Sequence, residues 1–267
     1  MKFKFLSFLV AAAALCACTS QAYVPYFQDR TKDSEDITIS RTDSFITFRP
    51  EDRIGIIVNC MDPQLTELFN LPVANRYIGA TNSIASQGQV MSYPVDEEGF
   101  VEMPVIGKVK IGGLTRTQAE NLIRETLVSQ NLVKDPIVNI VYLNLGFSLM
   151  GEFAHPCRVQ INKDRYTILD AIAEGGDLTI CAKRDNIRVV REENGVQKTY
   201  FVNLCSAEDV VNSPAYYIHQ NDVIYAEPNG MRRRQSTVNG NNLFSVSFWI
   251  SVASFATSLL TTYKLWK

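Results

Sequence analysis

The stretch IGKVKIGGLTRTQAENLIRETL, residues 106–127, changes its hydrophobic period at a pair of glycines. Before the glycines, apolar residues alternate with lysines, which predicts a strand over 106–111. After them, Thr115 or Thr117 can cap a helix, each with a Gln or Glu three residues later, and the following apolar residues fall on one helix face. A strand, a tight turn and a capped helix in succession predict an α+β fold.

The flanking sequence continues this pattern on both sides. Upstream, the turn residues 48–52 lead into an apolar strand, and a tight turn at 95–104 joins two further strands, after a Pro- and Asn-rich insertion over 62–93. Downstream, a strand over 137–143 follows Pro136. These elements predict a first small α+β module.

The residues from Gly146 to Pro228 repeat this organisation on a smaller scale. A strand over 147–153 precedes a short helix capped by Thr167, and the pair Asn194-Gly195 predicts a hairpin between strands over 187–191 and 196–202. The turn and strand that begin at Gln220 resemble those that begin at Pro50. We therefore expect two small α+β modules in tandem.

The composition excludes some classes of protein. The chain has 267 residues, 46% of them hydrophobic, with a net charge of -2. This composition supports a sizeable core and argues against a nucleic-acid binder, which usually presents a basic face.

The N-terminus indicates export. Two lysines precede the apolar run Phe5 to Ala14, a pattern typical of a secretory signal peptide and too short to span a membrane. The following Leu15-Cys16-Ala17-Cys18 resembles a bacterial lipobox, with Cys18 as the lipid attachment residue. An acidic residue that could resemble an inner-membrane retention signal is lacking after Cys18, so we expect the outer membrane, with most of the chain in the periplasm. The alternative is a plain secreted protein with a cysteine near its cleavage site.

Candidates for catalysis and metal binding are weak. Four cysteines remain, and their spacing decides neither for disulfides nor for buried thiols. The carboxylates Asp96, Glu97 and Glu98 could suggest glycan hydrolysis, but neighbouring strand residues point to opposite faces, so a solvated turn is favoured. His155 and His219 have no partner at ligand spacing. We therefore expect a protein without catalytic residues, metal or cofactor.

The order of motifs resembles a known family of outer-membrane auxiliary lipoproteins that export polysaccharide. Its polysaccharide export domain resembles this chain at Pro50 to Ile54, Val95 to Gly107, Gly113 to Thr115 and Asp135 to Val138. Its soluble-ligand-binding β-grasp domain resembles this chain at Leu149 to Pro156, Leu169 to Ala171, Glu174 to Gly176 and Asn221 to Pro228. Two departures affect loops: Glu51 and Cys157 stand where the family usually has glycine.

The resemblance implies a function and a domain plan. It implies a homo-oligomeric ring that conducts capsular or exopolysaccharide across the outer membrane, together with an inner-membrane polysaccharide copolymerase of the tyrosine-kinase type. The alternative is a membrane-tethered glycan-binding or sensing module without a pore. The expected segments are a signal peptide (1–17), a tether (18–40), the export domain (41–145), the β-grasp domain (146–228), a linker (229–242) and a transmembrane helix (243–264).

The C-terminal segment is the candidate pore. About 21 residues at ~1.5 Å per residue can span a ~30 Å hydrocarbon core. At 100° per residue, hydroxyl side chains form one stripe that we expect to line the pore: Ser247, Ser251, Ser254, Ser258, Thr261 and Thr262. Apolar and aromatic residues lie opposite and are expected to face lipid: Trp249, Val252, Ala256, Leu259 and Tyr263. The alternative is a plain tail anchor whose small residues pack against other helices.

Overall fold

The computed structural model describes residues 25–29, 36–39, 44–70, 92–193, 195–237 and 245–266. Within these residues the fold is mixed α+β, as the sequence predicts, with twelve strands and six helices. The strands are β1 (Arg53–Asn59), β2 (Ser92–Pro94), β3 (Phe100–Met103), β4 (Gly107–Lys110), β5 (Ile137–Tyr142), β6 (Gly146–Gly151), β7 (Arg158–Gln160), β8 (Tyr166–Thr167), β9 (Ala182–Glu193), β10 (Val196–Val202), β11 (Tyr217–Ile218) and β12 (Val223–Pro228). The helices are α1 (Pro63–Phe69), α2 (Arg116–Ser129), α3 (Ile168–Glu174), α4 (Ala207–Asn212), α5 (Gly230–Gln235) and α6 (Val246–Leu265).

The first sheet has the strand order β2-β1-β5 and is antiparallel. The β3–β4 hairpin lies beside it, and α2 packs on β5. Alternate residues of β5 are buried, because successive side chains of a strand point to opposite faces. The Glu120 carboxylate of α2 accepts a hydrogen bond from the Ile140 N–H at 2.9 Å, which ties the helix to this edge strand.

The two predicted helix caps are present. Thr115 accepts from the Gln118 N–H, and the Gln118 side chain accepts from the Thr115 N–H, a complete capping box. Thr167 and Asp170 form the same arrangement at the start of α3. Each cap satisfies donors that the first turn of a helix leaves without an intrahelical partner, which fixes where the helix begins.

The second sheet has the strand order β10-β9-β12-β6-β7. Its strand directions define two opposite ends, since β12 runs parallel to β6 and antiparallel to β9. The inner end, where β6 and β12 begin and β9 ends, contacts the first sheet. There, the Gln220 side chain donates to the Asp52 carboxylate at 3.1 and 3.2 Å. The outer end carries Gly151, Ala182 and Pro228.

The buried apolar side chains form one continuous cluster across both sheets. Phe48 packs on Tyr142 with ring centroids 5.7 Å apart, and Phe147 packs on Tyr166 at 5.4 Å. Full burial of such a side chain contributes about 1.5–3 kcal/mol. The two sheets are therefore stabilised by a shared core.

Several predicted boundaries shift in the structure. The strand predicted over 106–111 covers Gly107–Lys110, and the one predicted over 147–153 ends at Gly151, whose φ is +87°. The first strand of the predicted hairpin is longer than expected, because β9 starts at Ala182 and pairs with both β10 and β12. Asn194 lies outside the described residues.

The predicted insertion, 62–93, contains structure at both ends. Asp62 caps α1, which has Pro63 in its first turn. Tyr93 pairs with Ile54 in β2 and is buried, so the downstream end of the insertion belongs to the first sheet. Residues 71–91 lie outside the described part of the chain.

Candidate functional site

The C-terminal helix α6 is long and apolar enough to cross a membrane. It starts at Val246, whereas the sequence predicts a start at residue 243, and residues 241–244 lie outside the described part of the chain. Its twenty residues span about 30 Å at ~1.5 Å per residue. All twenty are described, and none of them is buried.

The predicted hydroxyl stripe follows the helical period, and the hydroxyls of Ser251, Thr261 and Thr262 hydrogen-bond to carbonyls of the helix. The Ser251 hydroxyl donates to the Ser247 carbonyl at 2.9 Å, and the Thr262 hydroxyl donates to the Ser258 carbonyl at 2.9 Å. The Thr261 hydroxyl reaches the Thr257 and Ser258 carbonyls at 3.1 and 2.8 Å. Because each of these hydroxyls uses its hydrogen on the helix, the oxygen lone pairs are what it can offer to a ligand.

The opposite face carries the residues predicted to meet lipid. Trp249, Val252, Leu259 and Tyr263 are all exposed. The division between the two faces is incomplete, since Ile250 and Leu265 fall at or beside the stripe at about 100° per residue. The structure thus places the predicted hydroxyl and lipid-facing residues on two faces of one helix.

Helix α5 connects α6 to the second sheet through specific contacts. Asn229 follows β12 and caps α5 by accepting from the Arg232 N–H at 3.0 Å. The Arg232 guanidinium in turn donates to the Glu152 carboxylate at 3.0 Å. The sequence assigns 229–242 to a linker, yet its first residues are held at the outer end of the second sheet.

The N-terminal strap, residues 25–29, hydrogen-bonds to chain segments that adjoin the second sheet. The Phe27 N–H donates to the Leu204 carbonyl at 3.1 Å. The Asp29 carboxylate accepts from the Ala207 N–H at 2.8 Å, at the start of α4. Tyr26 hydrogen-bonds to Asp177, and burial raises the pKa of its hydroxyl to about 12. These residues fall within the predicted tether, but they are docked on the folded domain.

Two turns face each other where the sheets meet. The first turn, Arg49–Asp52, and the second turn, His219–Asp222, lie at a polar cleft of about 590 Å³. Burial raises the pKa of the Asp52 carboxyl to about 6. Asp222 is paired with Arg191, whose guanidinium donates to both carboxylate oxygens at 2.7–3.2 Å.

His219 lies beside this contact and has a polar partner. Its Nε2 is 2.8 Å from the Ser44 hydroxyl. Burial lowers the pKa of the imidazole to about 4, and the positive charges of Arg191 and Arg49 add to this effect. His219 is therefore neutral at pH 7. From the sequence, His219 is known only as a histidine without a ligand partner. Its environment at the contact between the two turns includes Ser44 and Arg49, which are distant in the chain.

The other predicted candidates occupy turns and packing positions. The Asp96 carboxylate accepts from the Phe100 N–H at 2.6 Å, as expected for a turn. The His155 imidazole packs against Gly176, and a Cβ atom added to Gly176 would lie 2.5 Å from the imidazole Nδ1. In the part of the chain that the structure describes, no group of His, Cys, Asp and Glu side chains could hold a metal ion. The lipid attachment residue Cys18 lies outside the described residues.

Comparison with known proteins supports the polysaccharide biosynthesis/export part of the resemblance found in the sequence. Residues 40–143 match the family described as polysaccharide biosynthesis/export protein. The matched residues contain β1 to β5, α1 and α2. No curated protein matches the chain. The family match supports a role in polysaccharide export or biosynthesis and association with a membrane.

Proposed function

We propose that this protein is a subunit of an outer-membrane channel that exports capsular or exopolysaccharide. The observation that carries the proposal is the family match over residues 40–143 in a chain that ends in a membrane-length helix with a hydroxyl stripe. In this proposal Cys18 carries the lipid anchor. Residues 41–145 are the polysaccharide export domain, and residues 146–228 are the soluble-ligand-binding β-grasp domain.

The channel is a ring of identical subunits in which the α6 helices stand side by side. With about eight helices at ~10 Å spacing, the lumen would be roughly 16 Å across, enough for a hydrated glycan strand. Ser247, Ser251, Ser254, Ser258, Thr261 and Thr262 would line this lumen. Trp249, Val252, Ala256, Leu259 and Tyr263 would face lipid.

The chemistry of the stripe suits passage better than retention. The hydroxyls that donate to helix carbonyls present their oxygens as neutral acceptors, which sugar hydroxyls can meet in exchange for water. Because such an exchange changes the free energy little, a polymer can move without being held. The role is transport, and the partner that delivers the polymer is an inner-membrane polysaccharide copolymerase that contacts this protein in the periplasm.

A second candidate function is a membrane-tethered module that binds or senses a glycan without a pore. The intrahelical hydrogen bonds of Ser251, Thr261 and Thr262 favour it, because these hydroxyls need no water-filled lumen to satisfy their donors. In that case α6 is a tail anchor, and the protein need not form a ring.

Three variants in a polysaccharide-producing strain distinguish these functions. Truncation after Asn242 removes α6, Ser254→Trp places a bulky ring on the stripe, and Val252→Trp places the same ring on the opposite face. A pore-lining helix requires surface polysaccharide to be lost in the first two variants and kept in the third, at equal protein level. Normal export by the truncated protein would refute the pore.

The lipid anchor is tested separately. Labelled palmitate should enter the wild-type protein and not Cys18→Ser, and fractionation should recover the wild type in the outer membrane. Equal label in both proteins, or recovery in the inner membrane, would contradict the proposed anchor and location.

A further inference from the structure

The outer end of the second sheet carries a loop, residues 177–181, between α3 and β9, in which Leu178 is buried and Ile180 is exposed. Two hydrogen bonds join the loop to Glu152, the residue that follows β6. The Thr179 N–H donates to the Glu152 carbonyl at 2.9 Å, and the Thr179 hydroxyl donates to the Glu152 carboxylate at 2.7 Å. At its tip, Ile180 is 73% exposed. An aliphatic side chain in this position is fixed in place but has little described protein around it.

The N-terminal strap contacts one side of this loop. Tyr26 hydrogen-bonds to Asp177, the first residue of the loop, and its ring lies 5.2 Å from the Arg184 guanidinium carbon. That guanidinium donates to the Leu178 carbonyl at 3.1 Å. Pro25 follows Cys18 by about seven residues, a span of at most about 25 Å, so a lipid on Cys18 would be confined to the neighbourhood of this loop.

The C-terminal membrane helix is attached at the other side of the same loop. The Asn229 N–H donates to the Cys181 carbonyl at 2.7 Å, immediately before α5. Arg232 of α5 binds Glu152, the residue that also binds Thr179. The two chain segments that lead to the proposed membrane attachments therefore flank Ile180, although they lie far apart in the sequence.

The charges around Ile180 suit an anionic lipid surface. Arg232, Arg233 and Arg234 follow one another in α5, and the Arg233 side chain is 62% exposed and lies 4.0 Å from the Glu227 carboxylate. Basic side chains beside an exposed aliphatic residue are typical of surfaces that lie in the headgroup region.

We propose that the 177–181 loop is a membrane-contacting element, with Ile180 entering the interfacial region of the lipid bilayer and the α5 arginines meeting anionic headgroups. This inference rests on the proposed function, because it uses the membrane attachment of Cys18 and α6. A lipid surface is favoured over a protein partner because both chain segments that lead to the membrane leave the fold beside this one loop. This contact would set the orientation of the two sheets relative to the membrane surface.

Tryptophan fluorescence of the full chain in phosphatidylethanolamine–phosphatidylglycerol vesicles tests this contact. The sequence has two tryptophans, Trp249 and Trp266, both in the C-terminal segment. They are changed to Phe, and Ile180→Trp then supplies a single probe. We expect this probe to emit at shorter wavelength than a tryptophan exposed to water. With lipids brominated near the headgroup end of the acyl chain, it should also lose emission relative to unbrominated lipids.

The matched control is Ile137→Trp in the same background. Ile137 is 63% exposed and lies on β5 of the first sheet, away from the outer end of the second sheet. Its emission should be insensitive to bromination. An equal fractional loss of emission at the two positions, or no loss at either, would overturn the proposal.

The unchanged chain in the same vesicles separates this inference from the proposed function. Quenching of Trp249 and Trp266 without quenching at residue 180 would refute the loop contact and leave the membrane helix intact. Absence of quenching in both proteins would refute the loop contact and the membrane helix together.

Discussion

The first turn and the second turn have the same backbone arrangement but different electrostatic partners. In each, the aspartate accepts from the N–H three residues earlier, at 2.7 Å for Asp52 and 2.8 Å for Asp222. In each, the residue before the aspartate has a left-handed backbone conformation, with φ of +72° at Glu51 and +63° at Asn221. The N–H of that residue donates to a neighbouring backbone carbonyl in both cases.

The difference lies in which side chain compensates the buried carboxylate. Asp222 receives three short contacts from the Arg191 guanidinium. Asp52 receives the neutral amide of Gln220, whose Oε1 atom is itself buried without a hydrogen-bond partner among the described residues. The same turn geometry therefore holds an aspartate paired with an arginine in one place and an aspartate whose charge depends on pH in the other. The difference arises because the side chain that offsets burial of the carboxylate charge comes from outside the backbone of the turn or from a different turn.

The largest expected effect comes from removing the compensation of the second turn. Arg191→Met leaves Asp222 buried without its guanidinium, which should lower the free energy of unfolding by about 3–5 kcal/mol. Arg188→Met is the control on the same strand, because Arg188 pairs with Glu227 and its side chain is 40% exposed. Arg188→Met should lower the free energy of unfolding by no more than about 1 kcal/mol. Urea unfolding of the full chain in detergent measures both, and equal losses would contradict the comparison.

The same substitution should have opposite signs in the two turns at pH 7. Asp222→Asn replaces charge-assisted hydrogen bonds to Arg191 and should cost about 1.5–3 kcal/mol. Asp52→Asn removes a carboxylate that burial disfavours and should stabilise the protein by on the order of 1–2 kcal/mol, allowing for solvent screening. The Gln220 amide can turn so that its Oε1 accepts from the amide that this substitution introduces. Urea unfolding at pH 7 measures both signs, and a loss of stability in both variants would contradict the prediction.

The gain from Asp52→Asn should disappear in acid. The pKa of Asp52 is raised to about 6 in the folded protein, so the folded state binds a proton more readily than the unfolded state, and wild-type stability falls as pH rises from about 4 to about 6. Unfolding at pH 4 and pH 7 checks this. A gain that is the same at both pH values would show that the Asp52 carboxyl is not the titrating group.

His219 should act in the opposite direction over nearly the same pH range. Its pKa is lowered to about 4, so its contribution to stability is present above about pH 6.5 and is lost as pH falls toward 4. His219→Gln should flatten this acid loss and retain a partner for the Ser44 hydroxyl. Unfolding midpoints of His219→Gln and Asp52→Asn across this range separate the two groups, and parallel profiles would contradict the assignment.

The smallest expected effect concerns the left-handed residues. Glu51→Gly should stabilise the protein by about 0.5–1 kcal/mol, because glycine adopts positive φ without steric cost, although its greater unfolded-state entropy offsets part of the gain. Asn221→Gly should gain less, since Asn tolerates this conformation and its side chain accepts from Arg158 at 3.0 Å. Urea unfolding ranks the two variants, and an equal or larger gain at Asn221 would contradict this ranking.

Much of the local structure was predictable because its signals lie within a few residues. The capping boxes at Thr115 and Thr167 and the turns before β1 and β12 need only short-range spacing. The resemblance between the turns at Pro50 and Gln220 is visible in the sequence and extends to their backbone angles. Boundaries were harder to predict: β9 starts at Ala182 and not at residue 187, because its pairing with β12 extends it beyond the hairpin.

The pairings between distant residues were not predictable. Asp29 binds the start of α4 across 178 residues, and Gln220 meets Asp52 across 168. A single Arg or Asp in a polar segment has the same local pattern whether it is solvated or paired, so only burial reveals the role of Arg191. The same holds for the 177–181 loop, whose sequence context does not indicate that the N-terminal strap and the segment leading into α5 both contact it.

The sequence alone determined the α+β class, the caps and turns, and a C-terminal helix with hydroxyl and apolar faces, because helical period, capping and turn formation act between near neighbours. Only the tertiary structure decided which buried carboxylate is compensated by an arginine and that the N-terminal strap and α5 flank one loop. These depend on which strand ends lie together, and strand order is set by packing of residues far apart in the chain.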